Sequence, residues 1–406
     1  TVFLLLSMLQ LRYTIICLLC GHLSGTVAFP SILSNINWKA GVQSLGSIEW
    51  PKTTSPTKRE TAPNGSTILW VIQDTYEGST FFDTFDFYTG SDPTNFVDQQ
   101  TAMNDNLAYV TSDNKVIMRG DNTTQLAYGV NRNSVRITSQ AQYNMGLFIL
   151  DLEMAPWGCG VTTFFQTLGT GTWPYNGEID IIEGVHDNQH NQVTWHTAPG
   201  CNLTQNTNFT GSIVQTNGID NLQCNAFINN NAGCGVTEWS HASYGPLFDE
   251  ANGGVFAMNW DQNGIAVWSF YRAAIPLDIT QGNPNPSNWG EPVAALSTQS
   301  CNITKYFANH SIVFGDNADI TFCGDWAGNS YNSSDCPGTC ETRLMDPANF
   351  VNASWIINSL SVYKQTFLDF NGASNAARTD SIIMNLKMIS WIISTAIFLQ
   401  VVLVSL

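Results

Sequence analysis

The sequence predicts an all-β sandwich of two antiparallel sheets. Three observations carry that prediction: short segments rich in β-branched and aromatic residues recur between Leu69 and Tyr363, turn-forming residues punctuate them, and no long amphipathic helical period or fixed repeat occurs. The strand segments are Lys115-Val116-Ile117-Met118, Ser134-Val135-Arg136-Ile137-Thr138, Gly146 through Leu152, Gln192-Val193-Thr194-Trp195, Val255-Phe256-Ala257-Met258 and Ile265 through Phe270. Gly, Asn, Asp and Pro lie between them and supply the backbone conformations that hairpins need. One short helix is expected near Asp346 to Val351.

Composition agrees. The chain has 406 residues, 43% hydrophobic, 12% aromatic and 12% charged, enough apolar surface for a large core. A net charge of −17 and a pI near 4.5 come with no basic cluster longer than Lys58-Arg59, so nothing is arranged to neutralise phosphates, and nucleic acid is not an expected partner.

Both ends read as processing signals. After Met8 come Arg12, an apolar run from Tyr13 to Leu19, and the small-residue site Thr26-Val27-Ala28, so residues 1–28 are expected to form a secretory leader. Residues 29–66, with Pro51, Pro56 and Pro63 among many Thr and Ser, read as a linker or propeptide, and residues 67–366 as one catalytic domain. Small residues from Asn371 to Ala377 lie in a polar spacer, residues 367–387, ahead of an apolar tail, residues 388–406. That order matches a signal for a glycolipid (GPI) anchor; a spanning helix is the rival reading.

Of ten cysteines, Cys17 and Cys20 fall in the leader. Cys159, Cys201, Cys224, Cys234, Cys301, Cys323, Cys336 and Cys340 remain, an even set that reads as disulfides, with about a hundred pairings open to it. Acceptor sequons at Asn64, Asn122, Asn202, Asn208, Asn302, Asn309, Asn332 and Asn352 fit the same compartment. The expectation is an exported, monomeric glycoprotein held at the cell surface or wall.

The chemistry concentrates in Asn176-Gly177-Glu178-Ile179-Asp180-Ile181-Ile182-Glu183-Gly184. On a strand, Glu178 and Asp180 share a face while Ile179 points into the core. Glu183 falls on the wrong face of a regular strand, and one β-bulge around Ile181-Ile182 would bring it back. Acids aligned this way repel one another, so packing alone does not favour them. Retaining glycoside hydrolysis requires such a set: one ionised carboxylate attacks the anomeric carbon and a protonated partner about 5 to 5.5 Å away assists the leaving oxygen. A third carboxylate between them can push the outer two pKa values apart. A solvated acidic strand and a calcium site remain alternatives on spacing alone.

In its wider context the motif resembles glycoside hydrolase family 16, in particular the fungal laminarinase-like endo-1,3(4)-β-glucanases. The likeness extends over Ser79 through Phe87, Asn131 through Ile137, His196-Thr197 with Gly200-Cys201, and Phe322 through Gly328. It implies a β-jelly-roll with a concave substrate cleft, no cofactor or metal, and a β-glucan as substrate. By position it implies Glu178 as nucleophile, Glu183 as acid then base, Asp180 as the assisting carboxylate, and His196 on a neighbouring strand close to the acid/base. Trp173 and Trp260 match aromatics that line the cleft, and Arg132 is expected as a hydroxyl-binding donor. Where the family reads Cys-Gly-Thr-Trp-Pro-Ala-Phe-Trp, this chain has Cys159-Gly160-Val161-Thr162-Thr163-Phe164-Phe165-Gln166, so Gln166 stands in place of a sugar-stacking tryptophan. A transglycosylase and a glucan-binding protein without turnover are the rival functions.

Overall fold

The computed structural model describes residues 67–205, 208–314 and 321–368. The expected leader, linker, spacer and apolar tail lie outside the described residues.

Two antiparallel sheets face each other. One runs Ala294–Ser297, Gly264–Tyr271, Gly254–Asp261, Gly146–Met154, Ser354–Leu368, Val116–Arg119 and Ala108–Val110, with Thr67–Glu77 also paired to Ser354–Leu368. The other runs Ser212–Ile213, Cys234–Thr237, Gln192–His196, Glu178–Val185, Val161–Gly169, His310–Phe314, Ile137–Tyr143 and Phe85–Phe87, with Thr321–Phe322 added to Val161–Gly169. Consecutive strands often change sheet: Ile137–Tyr143 and Val161–Gly169 lie in the second, with Gly146–Met154 between them in the first. This interleaving is the jelly roll the sequence predicts.

The core lies between the sheets and is built from inward-facing alternate residues. Ile179, Val193, Trp195, Phe165 and Phe314 come from the second sheet, and Phe148, Leu150, Phe256, Met258 and Trp355 from the first. Phe314 packs edge-on against Trp355 with ring centroids 5.5 Å apart, one of many aromatic contacts that fix the sheet spacing.

Each expected strand forms, with one difference. Ser134 to Thr138 is not continuous: Asn133–Ser134 pairs in parallel with Thr94–Phe96, and a new strand begins at Ile137. Between them Arg136 turns its guanidinium over the Tyr88 ring, 4.8 Å from its centroid. The helix expected near Asp346 is a 3-10 turn, Pro347–Phe350, with Asp346 accepting from Ala348 N–H. Further helical turns such as Gln99–Asn104, capped by Asp98, and Asp325–Ser330 escaped the sequence reading because helices this short show no full amphipathic period.

All eight expected cysteines pair, as Cys159–Cys336, Cys201–Cys301, Cys224–Cys234 and Cys323–Cys340. The closures span 177, 100, 10 and 17 residues, so two of them tie segments that the chain alone would leave far apart.

Candidate active site

The acidic motif forms the strand Glu178–Val185, near the middle of the second sheet. Both flanking glycines are sterically required. Gly177 has φ +79°, and a side chain there would meet Tyr306 O at 2.5 Å; a Cβ on Gly184 would meet the Tyr244 ring at 2.2 Å.

The expected bulge is present. Against Val161–Gly169, Phe165 pairs with Ile182 but the next pair is Gln166 with Asp180, so Ile181 is the extra residue. Against Gln192–His196 the register likewise shifts between Asp180 and Glu183. Glu178, Asp180 and Glu183 therefore share one face, while Ile179 and Ile182 are fully buried.

Each carboxylate has its own surroundings. Trp173 Nε1 donates to Glu178 Oε2 at 2.5 Å. The Gln166 amide, turned so that its nitrogen faces the acids, donates to Glu178 Oε1 at 3.1 Å and to Asp180 Oδ1 at 2.7 Å. His196 Nε2 lies 3.4 Å from Asp180 Oδ2. Glu183 Oε2 accepts from Gln192 Nε2 at 2.8 Å and from the Thr194 hydroxyl.

Burial pushes the Glu183 carboxyl above the usual range, and the Thr194 hydroxyl, the His196 charge and the Gln192 amide oppose it in part. A carboxyl held up in this way can still carry a proton when the leaving oxygen needs one. Glu178, with an N–H bond to each oxygen, is oriented rather than mobile.

One atom each from Glu178, Asp180 and His196 lie within 4.8 Å of one another, a grouping that could also meet a cation. Three of the four carboxylate oxygens of Glu178 and Asp180 already face N–H donors, which fits an oriented nucleophile better than a hard-cation cage.

His196 lies on the neighbouring strand as expected; it pairs across from Glu178, its ring contacts Asp180, and its charge also acts on Glu183. Several expected roles change. Gln166 is wholly buried and offers no surface to a sugar; its amide holds two carboxylates. Arg132 is not a hydroxyl-binding donor. It is also wholly buried, its guanidinium donating to the carbonyls of Asp121, Thr124 and Leu344 while lying over the Phe350 ring. Trp260 is 1% exposed, in the core between the sheets with its ring 4.7 Å from that of His310, and does not line the carboxylate face. Trp173 remains beside Glu178, partly exposed.

The sequence reading missed Gln192 and Thr194, although Gln192-Val193-Thr194-Trp195-His196 alternates polar and apolar residues and so places Gln192, Thr194 and His196 on one face. It also missed Asn191 and Glu238, both buried below that face. Asn191 Oδ1 accepts Glu183 N–H at 3.0 Å, and its Nδ2 donates to Ile181 O at 2.9 Å and Glu238 Oε1 at 3.0 Å. Nothing local in the sequence marks this pair, because they meet across 47 residues.

A jelly roll that aligns three carboxylates on one bulged strand, one of them with its pKa raised by burial, defines a glycoside hydrolase. The family model described as the XgeA-like catalytic GH16 domain matches residues 85–363, and the chain belongs to glycoside hydrolase family 16. A "Probable glycosidase" of Schizosaccharomyces pombe is 42% identical over 313 residues, 75% of this chain and 72% of that one. An endo-1,3(4)-beta-glucanase of Arthroderma benhamiae is 36% identical over 307 residues, 73% of this chain and 65% of that one. The chain spans about half the length of relatives from Aspergillus species, 45% and 51% of two of them. Among solved structures, laminarinase 16A from Phanerochaete chrysosporium, holding glucans in donor and acceptor sites, is 37% identical with a TM-score of 0.67, covering 73% of this chain and 99% of that one. An elongating family 16 beta-1,3-glucosyltransferase is 35% identical with a TM-score of 0.67, covering 73% of this chain and all of that one (100%).

Proposed function

We propose that the protein is a retaining endo-hydrolase of β-1,3 or mixed β-1,3/1,4-glucan. The observation that carries the reading is the bulge at Ile181, which brings Glu183, its pKa raised by burial, to the same face as the oriented Glu178. Glu178 attacks the anomeric carbon as Glu183 gives its proton to the departing glycosidic oxygen. The glycosyl ester on Glu178 is then displaced by a water whose proton returns to Glu183, so configuration is retained overall. Asp180, tied to Glu178 through the shared Gln166 amide, keeps the nucleophile in register. These steps use side chains alone and call for no cofactor.

The test is digestion of laminarin, lichenan, barley glucan, cellulose and chitin with product sizing, using the parent protein and the variants Glu178→Gln and Glu183→Gln. Loss of β-glucan cleavage in both folded variants is expected. Near-normal turnover in either would overturn the assigned roles.

The glucosyltransferase among the structural neighbours favours a second reading, in which a sugar hydroxyl replaces water in the second step. Oligosaccharides longer than the starting material, seen by mass spectrometry, would identify it. The leader-like and anchor-like ends, the sequons and the disulfides support export to the cell surface or wall through a lipid anchor. Release of the native protein from cells by a phospholipase specific for glycolipid anchors tests that placement.

A further inference from the structure

The hydrogen-bonded row that starts at Glu183 continues across the sheet. Glu183 pairs with Gln192, Gln192 with Thr237, and Thr237 with Ser212. Directly paired residues of an antiparallel ladder project to the same side, so Thr237 and Ser212 share the face of the Gln192 amide that binds Glu183.

Pairing persists just past the regular strands, where Glu238 N–H donates to Asn191 O at 2.8 Å. Asn191 and Glu238 point inward and bond to each other, so by alternation His190 and Trp239 belong to the outer, carboxylate-bearing side. There a cavity of about 330 Å³ is lined by His190, Ser212, Thr237, Glu238, Trp239 and His241.

Its chemistry is specific. Trp239 is 79% exposed, the highest value among the large apolar side chains of the described residues. The His190 and His241 rings lie 4.3 Å apart. His190 Nδ1 donates to Glu238 O at 2.7 Å and His241 Nδ1 to Gln189 Oε1 at 2.9 Å, which leaves each Nε2 as an acceptor. An indole face, two imidazole acceptors and two hydroxyls match a pyranose ring, which has an apolar C–H face and a rim of hydroxyl donors.

We infer that this cavity is a sugar-binding site on the acid/base side of the catalytic face, holding a glucosyl unit of the glucan away from the bond that is cut, with Trp239 as its platform. The inference rests on the glucan reading above. It makes Trp239 a determinant of chain-length preference, since only a chain long enough to reach from Glu183 to Trp239 gains the contact.

The test measures binding separately from turnover. In the Glu178→Gln background, a β-1,3-linked glucose hexasaccharide is titrated by calorimetry with and without Trp239→Ala. Affinity is expected to fall roughly tenfold with Ala and to be mostly kept with Trp239→Phe, which retains an aromatic face. Leu277→Ala, which trims another exposed side chain in the short helix Leu277–Thr280, whose Ile279 packs against the cluster of Leu147, Ile149 and Val255 on the opposite sheet, should leave affinity unchanged. Equal affinity with and without the Trp239 indole overturns the site. Hydrolysis by the parent protein is scored independently, so a protein that cuts glucan with Trp239 irrelevant refutes this inference alone, and one that cuts no glucan refutes the function.

Discussion

Asn191 spans the gap that the bulge opens beside Glu183. Its amide accepts the Glu183 N–H at 3.0 Å and donates to Ile181 O at 2.9 Å, replacing the ladder bonds that the extra residue displaces. Its remaining hydrogen goes to Glu238 Oε1, so all three of these bonds are buried. Glu183, the proposed acid/base, is thus positioned from beneath by a buried side chain.

Asn191→Ala should leave these buried groups unpaired and cost about 3 kcal/mol of stability. The bulge would relax and Glu183 shift, lowering kcat by roughly 100-fold in molecules that remain folded. Urea unfolding together with kcat measured on the folded fraction checks both parts; a variant with normal kcat would show that the bulge holds its shape without the amide.

Thr194→Val removes a hydroxyl that stabilises the ionised form of Glu183. The Glu183 pKa, already raised by burial, should rise further. Because Glu183 must be protonated to assist the leaving oxygen, activity is lost as pH rises through that pKa, so the alkaline limb of the kcat/KM profile should move to higher pH. A limb that stays put or moves down would mean another group controls it.

Gln166→Leu keeps the volume and deletes the donors to Glu178 and Asp180. With charged acceptors losing a bond each, kcat/KM should fall by roughly 10- to 100-fold, mainly in kcat. Loss confined to KM would instead support a direct contact between residue 166 and sugar.

Glu238 is a buried carboxyl whose pKa burial raises to about 7 from the ordinary 4.5. Between those values the folded state holds a proton that the unfolded chain has released, so stability falls as pH rises through the window, by about 3 kcal/mol in all. Glu238→Gln does not titrate. Denaturant unfolding from pH 4 to 8 should therefore show the parent losing stability relative to Glu238→Gln, and parallel curves would refute the burial argument.

How much was legible in the sequence depended on the range of the interaction. The strand Glu178–Val185, the face shared by Glu178 and Asp180, and the bulge needed for Glu183 follow from a two-residue period and a count of five, both local quantities. The flanking glycines were visible as glycines, but the Tyr244 ring and the Tyr306 carbonyl that require them come from distant segments. Arg132 and Trp260 misled because residue type does not say which side of a sheet a side chain occupies or what already binds it. One is consumed by three backbone carbonyls, and the other is enclosed between the sheets.

The sequence by itself determined an all-β chain with eight paired cysteines and three acids on one strand, because alternation and composition act within a few residues. Only the tertiary structure decided the disulfide pairing, the Asn191 bridge under Glu183, the use of Gln166 as a clamp on the carboxylates, and the cavity that His190 and Trp239 share. Those outcomes depend on which strands lie side by side, and strand neighbours in a jelly roll are set by long-range burial that no local window contains.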